Sequence, residues 1–335
     1  MSDHLHPFVG ELPQRIRVVE VGLRDGLQSV DATLPTAKKI EIVHALIESG
    51  VREIEAVSFA HPRLIPQLAD AEKVMAAVPR GGGVFYRGLV PNLRGAERAA
   101  DCGLDQMLLV VSADEETSVR NQRRTVAQML DEIPLVAAVA AAAGSKFLVA
   151  VACSMFAPAR GPVPPDECDR VIDAAVDAGA HGVYLAGTSG MEHPLEFAQN
   201  VRRVRSRYPE LGLGVHLHNR NGFAIANAIA ALTAGAQWLE SSFAGLGGDP
   251  WFPGDVSVLG NAPTEDIVHL CDSLGIETGI NLESYLRIVA DIEVATGRSS
   301  TSYVTRGGTR DQLAAARWPE NGSWSAGALI ERAEI

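Results

Sequence analysis

The run LGLGVHLHNRNGF, residues 211–223, decides how the chain is read. Leu213, Val215 and Leu217 alternate with Gly214, His216 and His218, a period of two that predicts a strand. Side chains two apart on a strand share a face, so His216 and His218 project side by side. Two imidazoles presented together suit a metal ion. Packed, hydrogen-bonded core histidines are the plainer reading of the same spacing.

On either side of this strand the pattern repeats. Short apolar runs at 17–21, 53–59, 84–90, 107–112, 146–153, 182–186, 212–218 and 238–243 predict strands. Between them, stretches near 35–49, 66–78, 93–102, 119–143, 164–179, 193–208, 222–234 and 264–274 have helical period. Strands that alternate with helices pair in parallel through crossovers. Eight such units predict an α/β fold, a (β/α)8 TIM barrel, with a doubly wound open sheet as the alternative. The barrel is expected over residues 16–285 as one domain, after a lead-in of residues 1–15. A C-terminal extension follows at 286–335, helical at 286–296 and without period from 297. Gly50, Gly103, Gly179 and Gly235 each follow a helical run, where a left-handed backbone ends the helix. The Gly81–Gly83 triplet reads as a flexible turn away from any active site.

The composition is that of a globular protein: 47% of the 335 residues are hydrophobic and 21% charged. A net charge of −12 argues against nucleic acid or an anionic membrane as the main partner. The basic cluster Arg120–Arg123–Arg124 still leaves room for an anionic substrate, and Arg94, Arg120 and Arg124 are possible anion contacts. Cys102, Cys153, Cys168 and Cys271 are too scattered for a disulfide framework or a C-x-x-C site. With neither a secretory leader nor a membrane-spanning run, a cytoplasmic location is expected.

In parallel barrels, chemistry gathers where strands end. After the first strand comes Gly22-Leu23-Arg24-Asp25-Gly26-Leu27-Gln28, in which a charged pair between apolar residues calls for a partner or a ligand. A buried salt bridge closing the barrel would satisfy it equally. Glu55 lies within the second strand and points into the barrel. His216, His218 and Asn219 end the seventh strand, and a Gly-rich loop from Ala244 to Asn261 follows the eighth. One carboxylate, two imidazoles and an amide oxygen favour Mg²⁺ or Mn²⁺ over a thiolate zinc site.

Several motifs in order now resemble the 3-hydroxy-3-methylglutaryl-CoA lyase family, within the wider group of metal-dependent lyase, aldolase and Claisen-synthase barrels. They are VEVGLRDGLQ (19–28), IEAVSF with HPRLIPQLAD, VPNLRG, HLHNRNGFAIAN (216–227) and AGLGGDP leading to Gly260-Asn261. The resemblance implies that Asp25, His216, His218 and Asn261 ligate a divalent metal. It implies that Arg24 steadies an enolate oxygen, that His216 takes or relays the hydroxyl proton, and that Glu55 takes part in the catalytic set. Gln28 and Ser58 match residues lining the substrate. The implied reaction is retro-Claisen cleavage of an acyl-CoA thioester to acetyl-CoA and a keto acid, by a chain expected to be a homodimer.

The chain departs from that family at three points. Asp249 stands where the family's glycine-rich lid has a cysteine, and acts as a general acid only if burial raises its pKa. His216-Leu217-His218-Asn219 replaces His-Cys-His-Asp, and Gly187 precedes Thr188 where an acidic residue is usual. Cys153 matches a family cysteine but reads as a small core residue. Two other readings follow from the same residues: an aldolase or Claisen-type synthase on another oxo or hydroxy acid, and a barrel that binds a metabolite without turnover.

Overall fold

The computed structural model describes residues 5–6, 10–248, 252–253 and 258–318. Eight parallel strands close into a barrel. They are β1 (Arg17–Glu20), β2 (Glu53–Ser58), β3 (Phe85–Leu89) and β4 (Gln106–Ser112), then β5 (Lys146–Ala152), β6 (Gly182–Gly187), β7 (Gly212–Leu217) and β8 (Trp238–Ser241). Each pairs with the next, and β8 pairs back onto β1 with Glu240 opposite Val19. The barrel, not the open sheet, is therefore the fold.

The surrounding helices are α1 (Thr36–Glu48), α2 (Ala71–Ala77), α3 (Leu93–Ala99), α4 (Val126–Ala142) and α5 (Pro165–Asp177). Then come α6 (Pro194–Arg207), α7 (Ala224–Ala234), α8 (Thr264–Leu274) and α9 (Leu282–Thr296). Two boundaries differ from the periodicity. The helix expected over 119–143 is broken in two: residues 115–122 form a short helical segment that ends at left-handed Arg123 (φ 56°), and α4 starts at Val126, where Thr125 with Gln128 forms a capping box. Helix α9 begins at Leu282, earlier than the 286 read from the sequence, because the Asn281 side chain accepts the Ser284 N–H. Gly50, Gly103, Gly179 and Gly235 all have positive φ, as their positions after helices demand.

Two apolar layers result from strand alternation. Leu213, Val215 and Leu217 face outward and join the core beneath the helices. The barrel interior holds Val19, Val21, Leu108, Leu148, Ala150, Tyr184, Ala186 and Trp238. Trp238 occupies the base of the barrel because glycines clear space for it. A Cβ on Gly214 would lie 2.1 Å from the indole, and one on Gly182 3.1 Å. Glycine weakens a strand, but burying an indole contributes roughly 3 kcal/mol, which outweighs that loss. Arg17 lies 5.0 Å over the ring and pairs with Glu53 at 2.8 Å, closing the end opposite the site.

The C-terminal extension packs on the barrel through side-chain caps. Ser302 Oγ donates to Asp266 at 2.6 Å, and the Tyr303 and Val304 N–H groups donate to the same carboxylate. Thr301 N–H reaches Ala244 O at 3.0 Å, so residues 300–304 brace the start of the Gly-rich loop. Among the described residues, no single helix is long and apolar enough to cross a membrane.

Candidate metal centre and active site

The chain leaves β1 in one wide turn, in which the N–H groups of Arg24, Asp25 and Gly26 all converge on Val21 O at 3.1, 2.7 and 3.3 Å. Gly22 makes this possible: a Cβ there would meet the Phe243 ring at 2.5 Å. The turn buries Arg24 and Asp25 over the barrel interior. Arg24 Nε donates to Glu55, and its Nη1 donates to Asp25 Oδ1 at 2.6 Å. Gln28 Nε2 donates to the same oxygen at 2.7 Å, and Asn261 Nδ2 donates to Oδ2 at 2.6 Å.

Strand β7 delivers the imidazoles. His216 Nε2 and His218 Nε2 face each other at 3.2 Å, and His216 Nε2 lies 4.0 Å from Asp25 Oδ2. One ligand atom from each of Asp25, His216 and His218 falls within 4.8 Å of the others. A backbone bridge sets Asn261 beside His218. The Asn261 amide nitrogen is committed to Asp25 and to Leu246 O, which leaves its Oδ1 buried without a hydrogen-bond partner. An orphaned buried acceptor costs about 1–3 kcal/mol, so its retention beside two imidazoles and a carboxylate fits a divalent metal ion.

Gly247 and Gly248 roof this cluster with their backbone. Gly247 has φ +139°, and a Cβ there would lie 2.0 Å from Asn261 Nδ2 and 2.8 Å from Asp25 Oδ2. Gly248 N–H points at Asp25 Oδ2 at 3.4 Å. Asp249, expected in the proton-handling lid, lies outside the described residues.

Electrostatics sorts the titratable groups. Burial pushes the Asp25 pKa up, but Arg24 first and then His216 and His218 hold it well below the usual carboxylate range. Burial opposes charge on His216, yet its hydrogen bond to Glu240 and the Asp25 charge raise its pKa above the ordinary value. Burial and the neighbouring His216 lower His218 to about 4, leaving it neutral and ready to ligate at pH 7.

The structure brings together Arg24, Asp25, Gln28, Glu55, His216, His218 and Asn261. Ser58 ends β2 and its hydroxyl accepts the Ala60 N–H at 3.2 Å, away from the hydrogen bonds that join the cluster. Gln28 reaches the ligand candidate Asp25 through its side-chain amide. Arg120 pairs with Glu116 on an exposed helical turn, while Arg124 pairs with the largely buried Glu132 of α4. Cys153 is buried with its thiol pushed up to about 12 by burial, as befits a core residue.

The sequence reading missed Arg87 and Glu240. Glu240 pairs in register with His216, and its Oε2 accepts from His216 Nδ1 at 3.1 Å. Arg87 crosses the barrel from β3 to Glu240 and donates through Nε to Gln106 at 3.0 Å. The available signal was a charged residue on the inward side of two alternating strands, FYRGL and WLES.

Residues 15–292 match the family model described as HMGL-like. The chain belongs to the HMGL-like family. Among its HMGL-like relatives is the mitochondrial hydroxymethylglutaryl-CoA lyase of Rattus norvegicus, 34% identical over 89% of this chain and 91% of that protein. The (R)-citramalyl-CoA lyase of Chloroflexus aurantiacus is 33% identical over 88% of this chain and 95% of its own length. Among solved HMGL-like structures, an HMG-CoA lyase from Acinetobacter baumannii in complex with coenzyme A and 3-methylmalate superposes with a TM-score of 0.86. It is 32% identical and covers 91% of this chain and 98% of that one.

Proposed function

We propose that this chain is a carbon–carbon lyase that cleaves a 3-hydroxy-3-methylglutaryl-CoA-like thioester to acetyl-CoA and a keto acid, with Mg²⁺ or Mn²⁺ as its metal. The observation that carries this reading is the buried Arg24 guanidinium set against the Asp25–His216–His218 cluster at the barrel mouth. Asp25, His216, His218 and Asn261 Oδ1 would hold the cation. When bound, it supplies Lewis-acid polarisation and acidification of a substrate hydroxyl.

The side chains account for the rest of the reaction. Loss of the 3-hydroxyl proton to solvent water lets the C2–C3 bond break, and its electron pair passes into the thioester enolate. Arg24, fixed by Glu55 and Asp25, presents positive charge where that oxyanion develops. With its Nδ1 on Glu240, His216 has a single free lone pair. Holding a cation and accepting a proton therefore exclude one another, and we assign His216 to the cation. Asp249 is proposed to return a proton to the enolate carbon, on its position in the Gly-rich loop alone. Glu55 acts by holding Arg24, and Gln28 by holding Asp25. Ser58 is proposed to line the acyl end from the tip of β2.

The relatives include lyases for two different acyl groups at nearly equal identity, which supports a second reading with another 3-substituent. Incubating purified protein with Mn²⁺ and each thioester decides between them. Acetyl-CoA with equimolar acetoacetate marks hydroxymethylglutaryl-CoA, and acetyl-CoA with pyruvate marks citramalyl-CoA. Chelation should abolish either activity, and Arg24→Lys should lower kcat by about 10²–10³-fold. No acetyl-CoA from any tertiary-hydroxy acyl-CoA would overturn the reading.

A further inference from the structure

We propose that Glu240 is a positioning residue for the cation, with Arg87 as its counter-charge; the inference rests on the metal reading above. Both side chains lie inside the barrel, with Glu240 wholly buried and Arg87 2% exposed. An ionised carboxylate only accepts hydrogen bonds. With Glu240 Oε2 at 3.1 Å from His216 Nδ1, the imidazole proton therefore sits on Nδ1. The lone pair is left on Nε2, the nitrogen that faces His218 Nε2 at 3.2 Å and the Asp25 carboxylate. Tyr184 stacks on the same ring with centroids 5.7 Å apart, so the imidazole is packed on one face as well as hydrogen-bonded at Nδ1.

Glu240 is itself held at three points. Its other oxygen accepts from Arg87 and from Trp238 Nε1 at 3.2 Å. A lone charge at this depth is strongly unfavourable, so each member of the pair requires the other. Arg24 and Arg87 face Asp25, Glu55 and Glu240, two positive groups against three negative ones. The interior is one positive charge short before His216 or any ion is counted. A carboxylate behind a ligating histidine typically accounts for 10–100-fold in metal affinity.

The test measures the apoprotein and its uptake of Mn²⁺, with no substrate present. In wild type, the ¹⁵N resonances of His216 should report a protonated Nδ1, and calorimetry should show one tight Mn²⁺ site. In Glu240→Gln the amide can turn its NH₂ toward Nδ1, so the His216 resonances should move toward the other tautomer and Mn²⁺ affinity fall 10–100-fold. If the unpaired Arg87 prevents folding, Arg87→Met combined with Glu240→Gln removes that charge, and the same two changes are expected. Wild-type affinity and unchanged His216 resonances in a folded variant overturn the inference alone. Wild-type protein that takes up no Mn²⁺ overturns the metal reading, and this inference with it.

Discussion

Gly247 adopts φ +139° directly above Asp25 and Asn261, with no room for even a methyl group. Gly247→Ala should displace the Asn261 amide and weaken Mn²⁺ binding at least tenfold, while backbone strain costs about 1–3 kcal/mol of stability. Calorimetry and thermal melts together check this; full-strength binding in the variant would show that the loop does not roof the cluster. The two histidines were legible beforehand because a strand's period of two is visible in the letters. Asn261 was legible only as the end of a loop, since its pairing with His218 is a contact across 43 positions. Arg87 and Glu240 escaped notice because each finds its partner on another strand, and a charge among apolar residues does not say which way it points.

At the scale of elements, Glu20 ties the end of β1 to its surroundings. Its carboxylate accepts the N–H groups of Gly22 at 2.7 Å and Phe243 at 3.0 Å, Thr264 Oγ1 at 2.8 Å and the Tyr285 hydroxyl. One side chain thus joins the turn bearing Arg24 and Asp25, the approach to the Gly-rich loop, α8 and α9. Tyr285→Phe removes one donor from a fully buried carboxylate and should cost about 1–3 kcal/mol in denaturant unfolding. A loss near zero would mean that α9 is anchored by apolar packing alone. Strands were read within two residues of their ends, since alternation is a local property. The break in the helix expected over 119–143 had a local cause too, because a left-handed Arg123 is not signalled by residue type.

Over the whole molecule, carboxylates buried between the barrel and its C-terminal extension make stability depend on pH. Burial first, and Asp266 beside it, push Glu265 from 4.5 to about 8, and burial pushes Glu20 to about 7. A raised carboxyl pKa means the folded chain holds its proton more tightly than the unfolded one. That contribution is complete below about pH 4.5 and is lost as pH rises through the folded values. Wild type should therefore lose stability between pH 5 and 8 through these groups. Glu265→Gln cannot ionise, so it should gain on wild type as pH rises across that window. Melts in which the difference between the two stays constant would reject the assignment.

Trp238 closes the base of the barrel and donates its indole N–H to Glu240, whose other oxygen holds His216. Indole fluorescence responds to the local electric field, and this ring is two hydrogen bonds from the imidazole proposed to bind the cation. The chain thus contains its own optical gauge of occupancy: emission that changes on adding Mn²⁺ to wild type, with the change lost in Trp238→Phe, would let the filling of the mouth be followed from the floor.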